Sequence, residues 1–191
     1  MSFYDNLPYN PNIDQIKEAL ISVVVTAQQN AMPRFKQRLK RKLILEGGNP
    51  SEDIIEQIFI MHTSDIAYAV EDVFKDDTAI LNRVHSVFDN PEAAGLDAEM
   101  LDKGFYHMGF IYAMYWYGIT GTAPEPSMFV GLNHIHAEAI EDALHEIDDE
   151  LCEISGKPKP APAPKKSSSL PYWILMLVVG FIIGAIIKSC S

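Results

Sequence analysis

Six histidines stand in this 191-residue chain, and histidine with carboxylates at helical spacing is the raw material of a metal site. His134, Glu138, Glu141 and His145 fall at i, i+4, i+7 and i+11, on one face of a helix. A di-metal bundle site needs such groups to point inward. At ~100° per residue, this stripe lies opposite Ile135, Ile140, Leu144, Ile147 and Leu151, so it is expected to face water. His62 and Asp65 form a looser pair, and no Glu-x-x-His spacing repeats across two helices. No nucleophile motif, phosphate loop or dinucleotide fingerprint occurs. The expectation is a non-enzyme with no metal and no cofactor, a metal-dependent helical enzyme being the alternative these residues leave open.

Cysteine chemistry is equally limited. Cys152 ends an acidic helix, where neighbouring carboxylates disfavour the thiolate, and reads as a small packing residue. Two cysteines, Cys152 and Cys190, can build neither a disulfide framework nor a four-cysteine zinc site.

Charge comes next. Arg34, Lys36, Arg38, Lys40, Arg41 and Lys42 put six positive charges into nine residues, a basic patch able to meet anionic lipid or an acidic partner. The plainer expectation is a solvated face paired with the protein's own carboxylates. The chain carries 15 Lys+Arg against 26 Asp+Glu, a net charge of −11. Lys157, Lys159, Lys165, Lys166 and Lys188 all lie beyond the last acidic residue, so residues 1–154 alone carry −16. No nucleic-acid partner is expected of so acidic a unit.

The elements that must position these groups follow from the apolar pattern. Residues 1–154 read as an acidic all-helical head, 155–169 as a Pro/Lys/Ser-rich linker, 170–188 as a transmembrane anchor and 189–191 as a short tail. Leu170 to Ile187 is an 18-residue run without charge. At ~1.5 Å per residue it spans roughly 27 Å, close to the ~30 Å hydrocarbon core of a bilayer. Tyr172 and Trp173 sit where an interfacial belt belongs, and Lys188 closes the far end. Gly180 and Gly184 form a GxxxG step able to bring two anchors together as a homodimer. Alternating Pro-Ala and Pro-Lys in 156–169 favours an extended spacer. Its four lysines place the head on the cytoplasmic side, and the N-terminus shows no signal peptide.

Within the head the fold class is all-α, a bundle of five to seven helices. Ile13, Ile16, Leu20, Val23 and Val24 begin a helix after Asn12, which Pro33 is expected to end or kink; 34–46 then forms a short basic helix stopped by Gly47-Gly48. Ser51 opens a third, and Ile80, Leu81, Val84, Val87 and Phe88 mark a fourth. A long segment runs from about Asp97 to Ile119, and a last helix from about Leu132 to Ile154. Gly104 to Ala123 has no formal charge and seven aromatic residues, so it is expected to be the central buried helix, a second membrane segment being the alternative.

That central run carries a resemblance. Gly109, Ile111, Ala113, Tyr115 and Gly118 match in type the central-helix motif of the Bcl-two-like apoptosis regulators, and Ile66, Ala69 and Asp72 correspond to their amphipathic death motif. The sequence resembles that family over residues 66–74 and 104–118, together with the C-terminal anchor. Phe110 stands where the family has its groove arginine, and His107-Met108 replaces its asparagine-tryptophan pair. The resemblance implies a groove lined by Ile66, Val70, Phe74, Phe105, Met108, Gly109, Tyr112 and Tyr115 that captures an amphipathic partner helix. The functional expectation is a membrane-anchored tether whose head binds protein, with a structural membrane component of a virus or phage as the alternative.

Overall fold

The computed structural model describes residues 3–46, 50–96 and 108–155. These hold five α-helices and no strand: α1 (Ile13–Leu45), α2 (Glu52–Phe74), α3 (Thr78–Ser86), α4 (Met108–Thr120) and α5 (Pro126–Ser155). Two 3-10 turns, Phe3–Asn6 and Pro91–Ala94, complete the described elements. The stalk and the expected anchor, with Tyr172, Trp173, Gly180, Gly184 and Lys188, lie outside the described residues. Among the described residues, no helix is long and apolar enough to cross a membrane.

Helix starts follow local chemistry. Asn12 and Gln15 close a reciprocal capping box, each side-chain oxygen 2.9 Å from the other's backbone nitrogen. Ser51 caps α2, and Asp77 caps α3 by accepting from the Ile80 amide at 3.1 Å. Pro126 opens α5, where its missing N–H costs nothing. Gly121, at φ 73°, ends α4 in the left-handed region that a side chain would resist.

One expectation is corrected here. α1 does not end at Pro33, and 34–46 is not a separate helix: one helix of 33 residues, ~50 Å long, carries both. Proline removes one N–H, but the carbonyl it would have served belongs to Gln29 on the exposed side, where solvent can reach it. On the inner side Ala31, Phe35, Leu39 and Leu43 stay in register and buried. Continuous packing thus outweighs one lost hydrogen bond.

The long helices build two cores, one above the other. In the upper core Leu20, Val24, Ala27 and Ala31 of α1 meet Ile66, Val70 and Phe74 of α2, the buried faces of α3 and α4, and Leu132 of α5. In the lower core Phe35, Leu39 and Leu43 meet Ile58 and Phe59 of α2 with Ile140, Ala143, Leu144 and Ile147 of α5. α2 therefore runs antiparallel to α1. Ion pairs Lys36–Glu146 and Lys40–Glu150 keep a constant sequence offset, so α5 runs parallel to α1. Among the described residues, the upper section is a bundle around α4, and the lower section is formed by α1, α2 and α5. Leaving a buried Leu, Ile or Phe in water would cost about 1.5–3 kcal/mol each, which makes both cores strong determinants of register.

Candidate functional site

α4 is the central helix that its composition demands. Every residue from Met108 to Trp116 is buried, as is Gly118. Its glycines permit close approach. A Cβ on Gly109 would lie 2.7 Å from the Phe129 carbonyl oxygen, and the Gly109 amide donates to Asn133 Oδ1 at 2.8 Å. A Cβ on Gly118 would lie 2.7 Å from Val84 Cγ2.

The residues expected to line a partner groove come together, but as core. Ile66, Val70, Phe74, Met108, Gly109, Tyr112 and Tyr115 are all buried, and the Phe74 and Tyr115 rings stack at 4.9 Å. Phe3, from the N-terminal turn, lies 4.9 Å from Phe74 and helps close this region. Burial raises the Tyr115 hydroxyl pKa, with Glu71 adding to the effect, and burial raises that of Tyr112 to about 12. Phe105 lies outside the described residues. The apolar character that suggested a groove is used in packing the bundle.

The basic patch divides. Lys36 pairs with Glu146 and Lys40 with Glu150, while Arg38 Nη1 lies 2.6 Å from Asp65 Oδ2. Arg34, Arg41 and Lys42 make no ion pair among the described residues, and Arg34 and Arg41 are exposed. Half of the patch is thus a zipper between α1 and its neighbours.

His134, Glu138, Glu141 and His145 are all exposed, paired His134–Glu138 at 3.3 Å and His145–Glu141 at 3.9 Å. Among the described residues, no group of three or more His, Cys, Asp or Glu is placed to hold a metal ion. The inward face of α5 differs from the expected one at its start. Ile135 is 42% exposed, and His136 is buried in its place. Phe88, expected among the apolar positions of its helix, lies beyond the end of α3 and is also exposed.

His136 belongs to a polar layer that separates the two cores. Gln28 of α1, His62 of α2 and His136 of α5 are buried at one level. Gln28 Nε2 lies 3.3 Å from His136 Nδ1, and the His62 and His136 rings stack at 5.5 Å with planes 15° apart. The Phe35 ring covers the layer from below, 4.7 Å from His62. Both ring nitrogens of His62 are buried without a hydrogen-bond partner among the described residues. Burial, aided by the Arg38 charge and opposed by Asp65, lowers the His62 pKa to about 4, so the ring is neutral at pH 7. A cleft of about 460 Å³ between α1 and α5 reaches this layer at Gln28, with Met32, Lys36, Ile135 and Ala139 along its walls.

This layer is not anticipated from the sequence, and its one signal there is a polar residue at a core position in each of three helices. His62 interrupts Ile58–Ile66–Val70, Gln28 interrupts Leu20–Val24–Phe35, and His136 interrupts Leu132–Ile140–Leu144. Each polar residue sits at a core position of its helix.

On the outer side of α2, Ile60, Met61 and Tyr68 are exposed, Tyr68 at 70%. Ser64 lies between them, Asp53 and Glu56 precede them, and Glu71 and Asp72 follow.

No protein-family model matches this chain, and no curated protein or solved structure matches it.

Proposed function

We propose that this protein is a single-pass, C-terminally anchored membrane protein whose helical head faces the cytoplasm and binds another protein. The anchor would concentrate the head at one membrane, and the proline-rich stalk would give it reach. The central helix is occupied by packing, so the docking face must lie elsewhere. The observation that carries this reading is the outer face of α2, where Ile60, Met61 and Tyr68 stay exposed between acidic ends. Ile60 and Tyr68 are two turns apart, ~12 Å along one helix side. Such a face fits an amphipathic helix with an apolar middle and basic ends. The −16 charge of residues 1–154 favours the same basic partner and speeds its arrival.

Two measurements test this. Carbonate extraction and protease protection of the full chain in isolated membranes should leave it in the pellet with the head digestible from the cytoplasmic side. A synthetic helix with an apolar stripe and lysine ends should bind the full chain in detergent, more weakly as salt rises. Release by carbonate, or equal binding of an acid-ended helix, would sink the reading.

A further inference from the structure

The polar layer lies where a bundle would ordinarily continue its apolar core. We propose that the stacked His62–His136 pair is a proton-operated latch: protonation at this layer parts the lower half of α5 from α1 and α2 and exposes the apolar surface of the lower core. This goes beyond partner binding, and rests on geometry independent of it.

Three features make the layer able to act this way. First, the two imidazoles lie face to face at 5.5 Å, so positive charge on both is repulsive in a setting with little water to screen it. Second, His62 lacks a carboxylate in hydrogen-bond contact. The nearest acid on its own helix, Asp65, is already engaged by Arg38 of α1. Among the described residues, Gln28, Phe35 and the Arg38 cation of α1 and His136 of α5 face His62, and the one acid that acts on it is Asp65, whose charge Arg38 shares. Third, Gln28 presents its amide nitrogen to His136 Nδ1, which must accept. A proton on Nδ1 turns that acceptor into a donor and forces the carboxamide to turn or leave.

The two ends of α5 are held differently, which makes its opening local. Its first turns are fixed to α4 by the Gly109–Asn133 bond and by close packing at Phe129. Its lower half is held by the polar layer, the lower core and the partly exposed ion pairs Lys36–Glu146 and Lys40–Glu150. Opening of this half is a sub-global event, distinct from unfolding of the bundle around α4, of the kind that native-state exchange resolves. The cleft at Gln28 gives water a path to the layer.

The test is hydrogen exchange of the full-length chain in mild detergent, at pH 7 and at about pH 4.5, with protection corrected for intrinsic rate. Wild type should lose protection over 136–152 by on the order of 10²-fold, while α4 keeps its own. His62→Phe should abolish most of that loss. Equal loss from α4 and α5 in both proteins would be ordinary acid unfolding and would overturn the latch, as would full α5 protection at pH 4.5. Should His62→Phe not fold, histidine-selective NMR of the wild type decides. His62 taking up its proton in step with the loss of α5 protection supports the latch; His62 titrating near its ordinary value with α5 intact overturns it.

Discussion

Lys36 of α1 pairs with Glu146 of α5, 110 residues away, and Lys40 repeats the pairing one turn further with Glu150. Two such pairs at one offset require the two helices to run side by side in the same direction. That arrangement carries the end of α5 to the end of the bundle where α1, α2 and α5 pack together. The polar layer lies between this end and the bundle built around α4.

These ion pairs set direction more than stability. Lys36→Ala and Lys40→Ala should each lower stability by less than ~1 kcal/mol, because their glutamates are more than half exposed. Arg38→Ala should cost more, about 1–2 kcal/mol, since Asp65 is only 18% exposed and would lose its partner. Thermal melts of the three variants check the order; equal losses would contradict it.

The glycines of α4 give a sharper forecast. Gly109→Ala should destabilise by about 1–3 kcal/mol, because the added methyl meets the Phe129 backbone, which cannot swing aside. Gly118→Ala meets a side chain instead, Val84 Cγ2 at 2.7 Å. Combining Gly118→Ala with Val84→Ala should therefore cost less than the two single changes added together. Denaturant midpoints of the four variants measure this, and simple additivity would contradict the packing account.

Much of this architecture was readable in advance. The head is all-helical, and α4 is the buried centre, because an uncharged aromatic run inside an acidic chain has nowhere else to go. A single residue type is a weaker guide than the packing of a whole helix face. Proline chemistry predicts that Pro33 ends or kinks α1, yet the helix runs on through it, because Pro33 falls on the exposed side, where the freed carbonyl is open to solvent. Apolarity alone points Ile135 inward, but the buried stripe through Leu132, Ile140 and Leu144 passes through His136. Matching types in α4 implied a groove, but composition does not distinguish an open apolar wall from a closed one. The Gln28–His62–His136 layer needed three helices aligned at one level, which single-helix periodicity does not supply.

Acid should weaken the head before general charge loss does. The folded His62 pKa of about 4 lies below its ordinary value of 6.5, so the unfolded chain binds the proton more readily between those values. Stability is then fully present above about pH 6.5 and falls as pH drops toward 4, by ~2–3 kcal/mol at pH 4.5. His62→Gln should flatten this part of the profile. Urea titrations of both proteins from pH 7 to 4.5 check it, with parallel profiles as the contrary result.

The outer face of α2 should separate binding from folding. Tyr68 is 70% exposed, so Tyr68→Ala should change stability by no more than ~0.5 kcal/mol. The same change should weaken a docked basic helix about tenfold or more, as loss of an aromatic anchor does. Fluorescence titration with the lysine-ended peptide reads this. Unchanged affinity would remove Tyr68 from the interface.

The most direct measurement of the central claim is photo-crosslinking in native membranes, with a photoreactive residue at Ser64 or Tyr68 on α2 and, as control, at His145 on α5. The account predicts one dominant adduct from Ser64 and Tyr68, mapping to a basic amphipathic helix of the partner, and none from His145. Adducts of equal yield from all three positions, or none from the α2 face, would contradict it.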